Sequence, residues 1–271
     1  MAEPEQDPID EAALAEDLVA AGSLWTSVEV VPETGSTNAD LAAAARSGAV
    51  PGAVLVTGSQ TTGKGRLGRS WVAPPGTGIA MSVLLRPEVP TSRWTWLPLL
   101  TGLAVSDALR QQCDLPADLK WPNDVLVAGR KICGVLAERV ETAEGPAVVL
   151  GMGINVSLTA EQLPVPTATS VTLALAALGA PGLPVSRTAL VATVLRSLER
   201  ILRHWSDVDD DTAVAVAYRE RCSTLGREVR VELGDGAVQG RAETVDGSGR
   251  LVLRTAEGLR TFGAGDVVHL R

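Results

Sequence analysis

The periodicity of the chain changes after Leu225, and that change limits what it can fold into. Val229, Val231 and Leu233 alternate with Arg230 and Glu232, and Gly234-Asp235-Gly236 then turns. Alternation resumes at Val238, Asp246-Gly247-Ser248-Gly249 turns again, and Leu251-Val252-Leu253 follows. A period of two lines up every second side chain on one face, and glycines let the backbone turn tightly. This segment predicts a small antiparallel barrel or sandwich. Upstream, helical and extended patterns are mixed. Leu190, Val194, Leu198, Ile201, Leu202 and Trp205 recur at helical spacing across 187–205. Further helices are predicted at 11–21, about 38–47, 94–112 and 210–222, with Ser36 or Thr37 placed to cap the second. Strands are predicted at 28–31, 53–57, 78–85 and 147–156, and 119–128 with 131–140 read as a hairpin about Gly129-Arg130. The expected class is α+β: a mixed sheet flanked by helices, followed by a small C-terminal antiparallel β-barrel. The expected division is a disordered tail over 1–10, a main domain over 11–222 and a small β-domain over 223–271.

With 271 residues, 45% of them hydrophobic, the chain can bury one large core or a large domain plus a small one. The net charge of −8 repels nucleic acid unless a local basic patch intervenes. Cys113, Cys133 and Cys222 stand apart, with no C-x-x-C clip, which argues against structural zinc and a disulfide framework and suits a reducing compartment. The acidic start MAEPEQDPIDE lacks a signal-peptide pattern, and no apolar run approaches the roughly 20 residues of a membrane span. A cytoplasmic protein is expected, with no membrane partner and an oligomeric state left open. Only His204 and His269 are available, both read as helix-flank or solvent histidines, so a Ser-His-Asp or Cys-His mechanism has little to work with. The chemistry must lean on cations and backbone donors.

Four segments carry that chemistry. From Gln60 to Trp71, Lys64, Arg66 and Arg69 alternate with Gly63, Gly65 and Gly68 directly after a predicted strand. Glycines let backbone amides approach a ligand and the cations supply charge, as an oligophosphate or acyl-phosphate requires. Gly58 to Lys64 also fits most of a P-loop. Gly65 stands where that motif needs a magnesium-binding hydroxyl, and the residues after it are poor helix starters. In Leu119-Lys120-Trp121-Pro122-Asn123-Asp124-Val125, polar residues and a proline interrupt an apolar strand, a breach of local rules expected at functional sites. In 129–138, Lys131 opens an apolar strand and Gly134 leaves room for a ligand or another backbone. In 151–156, Gly151 and Gly153 open a strand that ends near Asn155.

Together with Gly35-Ser36-Thr37-Asn38, these segments resemble the biotin–protein ligase family. They follow its order: a GSTN-type turn, Q-x-x-G-[RK]-G-R-x-G-R-x-W, KWPND, K-x-x-G-[IV]-L-x-E and G-x-G-[IL]-N. The resemblance runs from about residue 25 to the end, and implies a class II synthetase-like catalytic domain. It implies biotin contacts from Ser36, Thr37, Asn38, Gln60, Lys64, Gly65, Arg66, Trp71, Lys131 and Gly134. Hydroxyls and amides suit a ureido group with two donors and one acceptor. It implies nucleotide contacts from Arg66, Arg69, Trp71, Lys120, Asn123, Asp124 and Asn155, and catalytic cations at Arg66, Arg69, Lys120 and Lys131. Lys64 stands where many members have Arg, which keeps the charge and loses the bidentate fork.

The activity implied is ATP-dependent formation of biotinyl-5'-AMP, followed by transfer of biotin to a lysine of a biotin carboxyl carrier domain of a biotin-dependent carboxylase. ATP and biotin are the substrates, and Mg2+ should accompany ATP on ligands that the sequence does not identify. Many bacterial relatives also carry a helix-turn-helix repressor domain. About 25 residues precede the catalytic region here, too few for one, so no nucleic-acid partner is expected. Two other readings compete. A lipoate–protein ligase would leave the polar Ser-Thr-Asn and Gln set without a purpose, and a biotin-sensing regulator would need a DNA-reading element.

Overall fold

The structure is a computed structural model and describes residues 8–208, 210–234 and 236–270. Its centre is a seven-stranded sheet in the order β1-β2-β3-β7-β6-β5-β4. The strands are β1 (Ser27–Val31), β2 (Ala53–Thr57), β3 (Gly78–Leu85), β4 (Ala117–Lys120), β5 (Asp124–Val127), β6 (Arg130–Thr142) and β7 (Gly145–Asn155). Only β1 and β2 run parallel, so the sheet is mixed as expected. Among the described residues six α-helices accompany it: α1 (Glu11–Leu18), α2 (Thr37–Arg46), α3 (Leu97–Cys113), α4 (Val171–Ala177), α5 (Arg187–Ser206) and α6 (Thr212–Arg221).

The two faces of the sheet bury different things, and strand parity sorts the residues between them. Val54, Val56, Val83, Leu85, Leu150 and Met152 join the main core with α3 and α5. Their neighbours Leu55, Leu84, Val149 and Val140 form a smaller cluster with Leu41 and Ala45 of α2. Because β3 is covered on both sides, all eight of its residues are buried, which is why it reads as a continuous apolar run. Ser82, two positions before Leu84, faces the α2 side without exposure.

A second, five-stranded antiparallel sheet follows in the order β11-β10-β9-β8-β12. Its strands are β8 (Glu228–Leu233), β9 (Gly236–Val245), β10 (Leu251–Thr255), β11 (Gly258–Phe262) and β12 (Asp266–His269). Its buried face, with Val229, Val231, Leu251, Leu253 and Phe262, is continuous with the main core. The 246–249 turn is gripped from the side of the seven-stranded sheet: Trp96 Nε1 donates to Gly247 O at 3.0 Å and Trp121 Nε1 to Gly249 O at 3.0 Å.

Four local expectations need correction. Residues 119–128 are not one strand: the chain reverses at 121–123 and makes β4 and β5, which pair with each other. Pro122 lacks an N–H for a ladder, which is the physical reason for the break. The hairpin turn is Ala128-Gly129, both at positive φ (49° and 74°), rather than Gly129-Arg130. The α-helix expected at 94–112 begins at Leu97, after a 3₁₀ turn over Thr91–Trp96. Of the expected disordered tail, residues 1–7 lie outside the described residues, while Asp10 caps α1 by accepting from Ala13 N at 3.0 Å.

Candidate functional site

The α2 face of the sheet opens into a cleft of about 460 Å³, its mouth included, floored by glycines. Gly134 and Gly153 are register partners on β6 and β7, and Gly151 lies two residues along. Each glycine makes room for a neighbour. A Cβ on Gly153 would lie 2.4 Å from Trp71 Cε2, and one on Gly151 would lie 2.0 Å from Asn38 Oδ1. Side chains could not stand there with Trp71 and Asn38 in place. The glycines noted in 151–156 are therefore space for other residues.

Ser36, Thr37 and Asn38 enter the cleft at the start of α2, and all three are buried. Ser36 is the N-cap, accepting from Ala39 N at 3.4 Å. Thr37 donates its backbone N–H to Gln60 Oε1 at 2.9 Å, which holds the loop glutamine against the helix. Asn38 Nδ2 donates to Glu138 Oε2 at 2.7 Å and to Leu136 O at 3.3 Å.

The glycine-arginine loop forms the opposite wall. It is a small closed turn: Gly65 N donates to Arg69 O at 2.7 Å and Trp71 N to Gly63 O at 2.8 Å. No helix begins at Gly65, only a 3₁₀ turn over Arg66–Gly68 in which Leu67 takes φ 55°, so the P-loop reading has no structural support. The Trp71 ring lies beside Lys131, whose Nζ is 5.7 Å from the ring centroid.

Lys131 reaches this side through a β-bulge. Cys133 pairs with Val125 and Lys131 with Leu126, so Ile132 is an extra residue in β6. Without it, Lys131 would share the core face with Cys133; with it, Lys131 joins Gly134 on the cleft side. Burial pushes the Cys133 thiol up to about 12, so that cysteine is no nucleophile at neutral pH.

A second hollow of about 760 Å³ continues from the first, sharing Gly65, Arg66, Trp71, Asn123 and Lys131 with it. Arg69, Lys120 and Asp124 line it too, with Asp266 of the C-terminal sheet. Asp124 sits between two ammonium groups, 2.6 Å from Lys131 Nζ and 3.9 Å from Lys120 Nζ. Arg66 Nη1 donates to Asn123 Oδ1 at 2.8 Å, Arg66 Nη2 to Gly265 O at 3.2 Å, and Asp266 pairs with both Arg66 and Arg69. Burial lowers the Arg66 pKa against the opposing pull of Asp266 and Asp124. An acidic chain thus gathers Lys64, Arg66, Arg69, Lys120 and Lys131 at one place.

Of the site residues expected from sequence, Asn155 alone lines neither hollow. It is buried, and its Nδ2 donates to Thr169 O at 2.9 Å. Segment 167–169 in turn pairs with Lys131: Lys131 N donates to Thr167 O and Thr169 N to Lys131 O, both at 2.8 Å. Asn155 thus touches the segment that pairs with Lys131 rather than lining either hollow. Sequence reasoning missed Ser82 and Asp266, since a lone Ser in an apolar strand and an Asp near the chain end carry no signal. Among the described residues no group of three or more His, Cys, Asp or Glu could hold a metal ion. Asp124 and Asp266 are each engaged by two cations, so these residues do not form a magnesium site by themselves; magnesium commonly keeps several waters and binds through substrate phosphates.

A model of the biotin/lipoate A/B protein ligase family matches residues 31–155, and a model of the biotin protein ligase C-terminal domain matches 224–270. The biotin–[acetyl-CoA-carboxylase] ligase of Mycobacterium tuberculosis is 43% identical over 270 residues, 97% of this chain and 97% of that protein. The chain belongs to the biotin protein ligase family. The bifunctional ligase/repressor BirA of Bacillus spizizenii is 30% identical over 243 residues, which is 88% of this chain and 72% of that one. The solved biotin protein ligase of Aquifex aeolicus, described as in complex with biotin and ATP, superposes with a TM-score of 0.74 at 28% identity, covering 91% of this chain and all of that one. No helix among the described residues is long and apolar enough to cross a membrane.

Proposed function

We propose that this biotin protein ligase binds biotin in the glycine-floored cleft and the phosphates of ATP in the adjoining cationic hollow. One observation carries the assignment: the two hollows share Arg66, Trp71, Asn123 and Lys131, so a carboxylate in one meets an α-phosphate in the other. The ureido end of biotin lies against Ser36, Thr37, Asn38 and Gln60, which offer hydroxyls and amides and no charge. Gly65, Lys64 and Gly134 border the same cleft, and the ring system packs on Trp71.

The first step brings two anions together. A carboxylate oxygen of biotin bonds to the α-phosphorus of ATP, the bond to the β-phosphate oxygen breaks, and pyrophosphate leaves. Lys131, Lys120, Arg66 and Arg69 offset the repulsion and stabilise charge developing on the phosphoryl oxygens. Asp124 holds Lys131 and Lys120 in place, and Asn123 holds Arg66. In the second step a lysine amine attacks the acyl carbon, AMP departs with the anhydride oxygen, and the amine loses a proton. The printed names of the relatives point to acetyl-CoA carboxylase as the acceptor, and we take its biotin carboxyl carrier domain as the protein substrate. Buried free thiols at 113, 133 and 222 fit a reducing cytoplasm. The net charge of −8 fits an enzyme that does not bind nucleic acid.

The direct test is pyrophosphate release from ATP with biotin, with lipoate and with neither. Release that saturates with biotin supports the reading. Release with lipoate alone moves the enzyme to the lipoate branch of the family, and release with neither acid refutes the assignment.

A further inference from the structure

Behind the ureido end of the cleft runs a chain of hydrogen bonds that involves two residues outside the binding set, Ser82 on β3 and Glu138 on β6. Asn38 Nδ2 lies 2.7 Å from Glu138 Oε2, Asn38 Oδ1 lies 2.6 Å from Ser82 Oγ, and Ser82 Oγ lies 2.7 Å from Thr37 Oγ1. Thr37, Asn38 and Ser82 are all buried, so no water competes for these contacts.

The end groups decide which way the protons point. A carboxylate only accepts, so the Asn38 amide must turn its NH2 towards Glu138, and Leu136 O at 3.3 Å demands the same. Asn38 Oδ1 then faces Ser82 and needs a proton from it. Ser82 has one hydroxyl proton. With that proton given to Asn38, the 2.7 Å contact to Thr37 carries a hydrogen bond only if Thr37 donates. The reverse arrangement would set Ser82 and Asn38 oxygens lone pair to lone pair at 2.6 Å. Gln60 Oε1 accepts the Thr37 N–H at 2.9 Å and also lies 3.2 Å from the Thr37 hydroxyl, a second and longer acceptor for its proton. Both acceptors in reach of the Thr37 hydroxyl, Ser82 Oγ at 2.7 Å and Gln60 Oε1 at 3.2 Å, are protein groups, so its proton is engaged within the fold and it offers the cleft lone pairs.

We infer that Glu138 and Ser82 are positioning residues that fix Thr37 as an acceptor for a ureido N–H. The inference rests on the biotin reading of the cleft and adds a cause for its polarity. Buried relays of this kind act in one direction only when every member is satisfied. Removing Ser82 takes away the shorter of the two acceptors and leaves the Thr37 hydroxyl only the 3.2 Å contact to Gln60 Oε1, so that its proton can turn outward, where it meets the ureido N–H donor to donor. Replacing Glu138 by Gln removes the charge that pins the Asn38 amide.

The experiment is steady-state pyrophosphate release by the full-length enzyme and its Ser82→Ala and Glu138→Gln variants, titrating biotin and ATP separately. The wild type must first saturate with biotin; if it does not, the cleft assignment itself fails. Given that, the relay predicts a biotin KM raised roughly tenfold in Ser82→Ala and roughly threefold in Glu138→Gln, each step of tenfold corresponding to one modest hydrogen bond. The ATP KM and the kcat at saturating biotin stay within about twofold. A wild-type biotin KM in both variants overturns the inference, and so does an equal rise of both KM values, which marks a merely structural role. Glu138 lies on the partly exposed rim of β6, so its variant decides the matter if Ser82→Ala does not fold.

Discussion

Gly153→Ala tests whether the glycine floor exists to seat Trp71. The added Cβ would stand 2.4 Å from Trp71 Cε2, with Cζ2 and Nε1 both at 2.7 Å. Ordinary van der Waals contact begins near 3.4 Å, so the ring must withdraw by about 1 Å. The backbone offers little relief, because Trp71 N is tied to Gly63 O at 2.8 Å and Gly153 of β7 is paired on both sides, with Ala80 of β3 and Gly134 of β6. Overpacking of this kind costs about 1–3 kcal/mol where the neighbours are fixed. Trp71 is only partly buried, so most of the strain goes into moving the ring rather than into unfolding. Misplacing a positioning group by about 1 Å can lower a rate by up to about 100-fold. We expect biotin-dependent pyrophosphate release to fall between roughly 10- and 100-fold with the melting temperature within a few degrees of wild type. Calorimetric titration of biotin separates loss of binding from loss of chemistry. Wild-type affinity and rate together would refute the claim that the ring must lie against Gly153.

Three further outcomes follow from the same geometry. Lys131→Ala removes one of the two cations, with Arg66, that line both hollows, and leaves Asp124 the more distant Lys120. Pyrophosphate release should drop by at least about 100-fold with circular dichroism unchanged, and a wild-type rate would rule out its role. Trp121→Phe leaves Gly249 O without its 3.0 Å donor across the junction of the two sheets. A loss of about 2 kcal/mol, or roughly 4–8 °C in Tm by scanning calorimetry, is expected, and an unchanged Tm would show that the junction is not stabilised there. His269 is lowered from 6.5 to about 4 by burial, then by Lys120 and Arg227. Between those values the unfolded chain binds the proton and the folded chain does not, so stability should fall as pH drops from about 6.5 to about 4. His269→Gln should flatten that part of the Tm–pH curve, and an identical curve would show that another group governs it.

Most of the cleft was legible because its chemistry breaks local rules. Lysine and asparagine in an apolar strand region, and cations spaced by glycines, have no reason to occur in a plain sheet. The strand-helix order was legible for the opposite reason: β3, β7 and α5 obey their periods. What escaped depends on partners distant in sequence. Nothing local in Gly-Ile-Ala-Met-Ser-Val-Leu-Leu says that Ser82 meets Asn38 and Thr37 more than 40 residues earlier. The bulge at Ile132 that turns Lys131 to the cleft is a property of pairing with β5. Asn155 is a different case: the motif marks it, but its Nδ2 is engaged inside the fold, against Thr169, a partner that no local pattern announces. The break at 121–123 is signalled by Pro122, which cannot donate to a ladder, but that it ends one strand and begins another depends on β4 and β5 pairing with each other.

On the proposed reading, this cleft makes an activated biotin and delivers it to a protein lysine. The measurement that reaches it most directly is intact-mass and peptide spectrometry of a biotin carboxyl carrier domain after incubation with this enzyme, ATP and biotin. The carrier should gain one biotin on one lysine, dependent on both ATP and the enzyme and abolished by Lys131→Ala. A carrier domain that stays at its unmodified mass while pyrophosphate is released would contradict it.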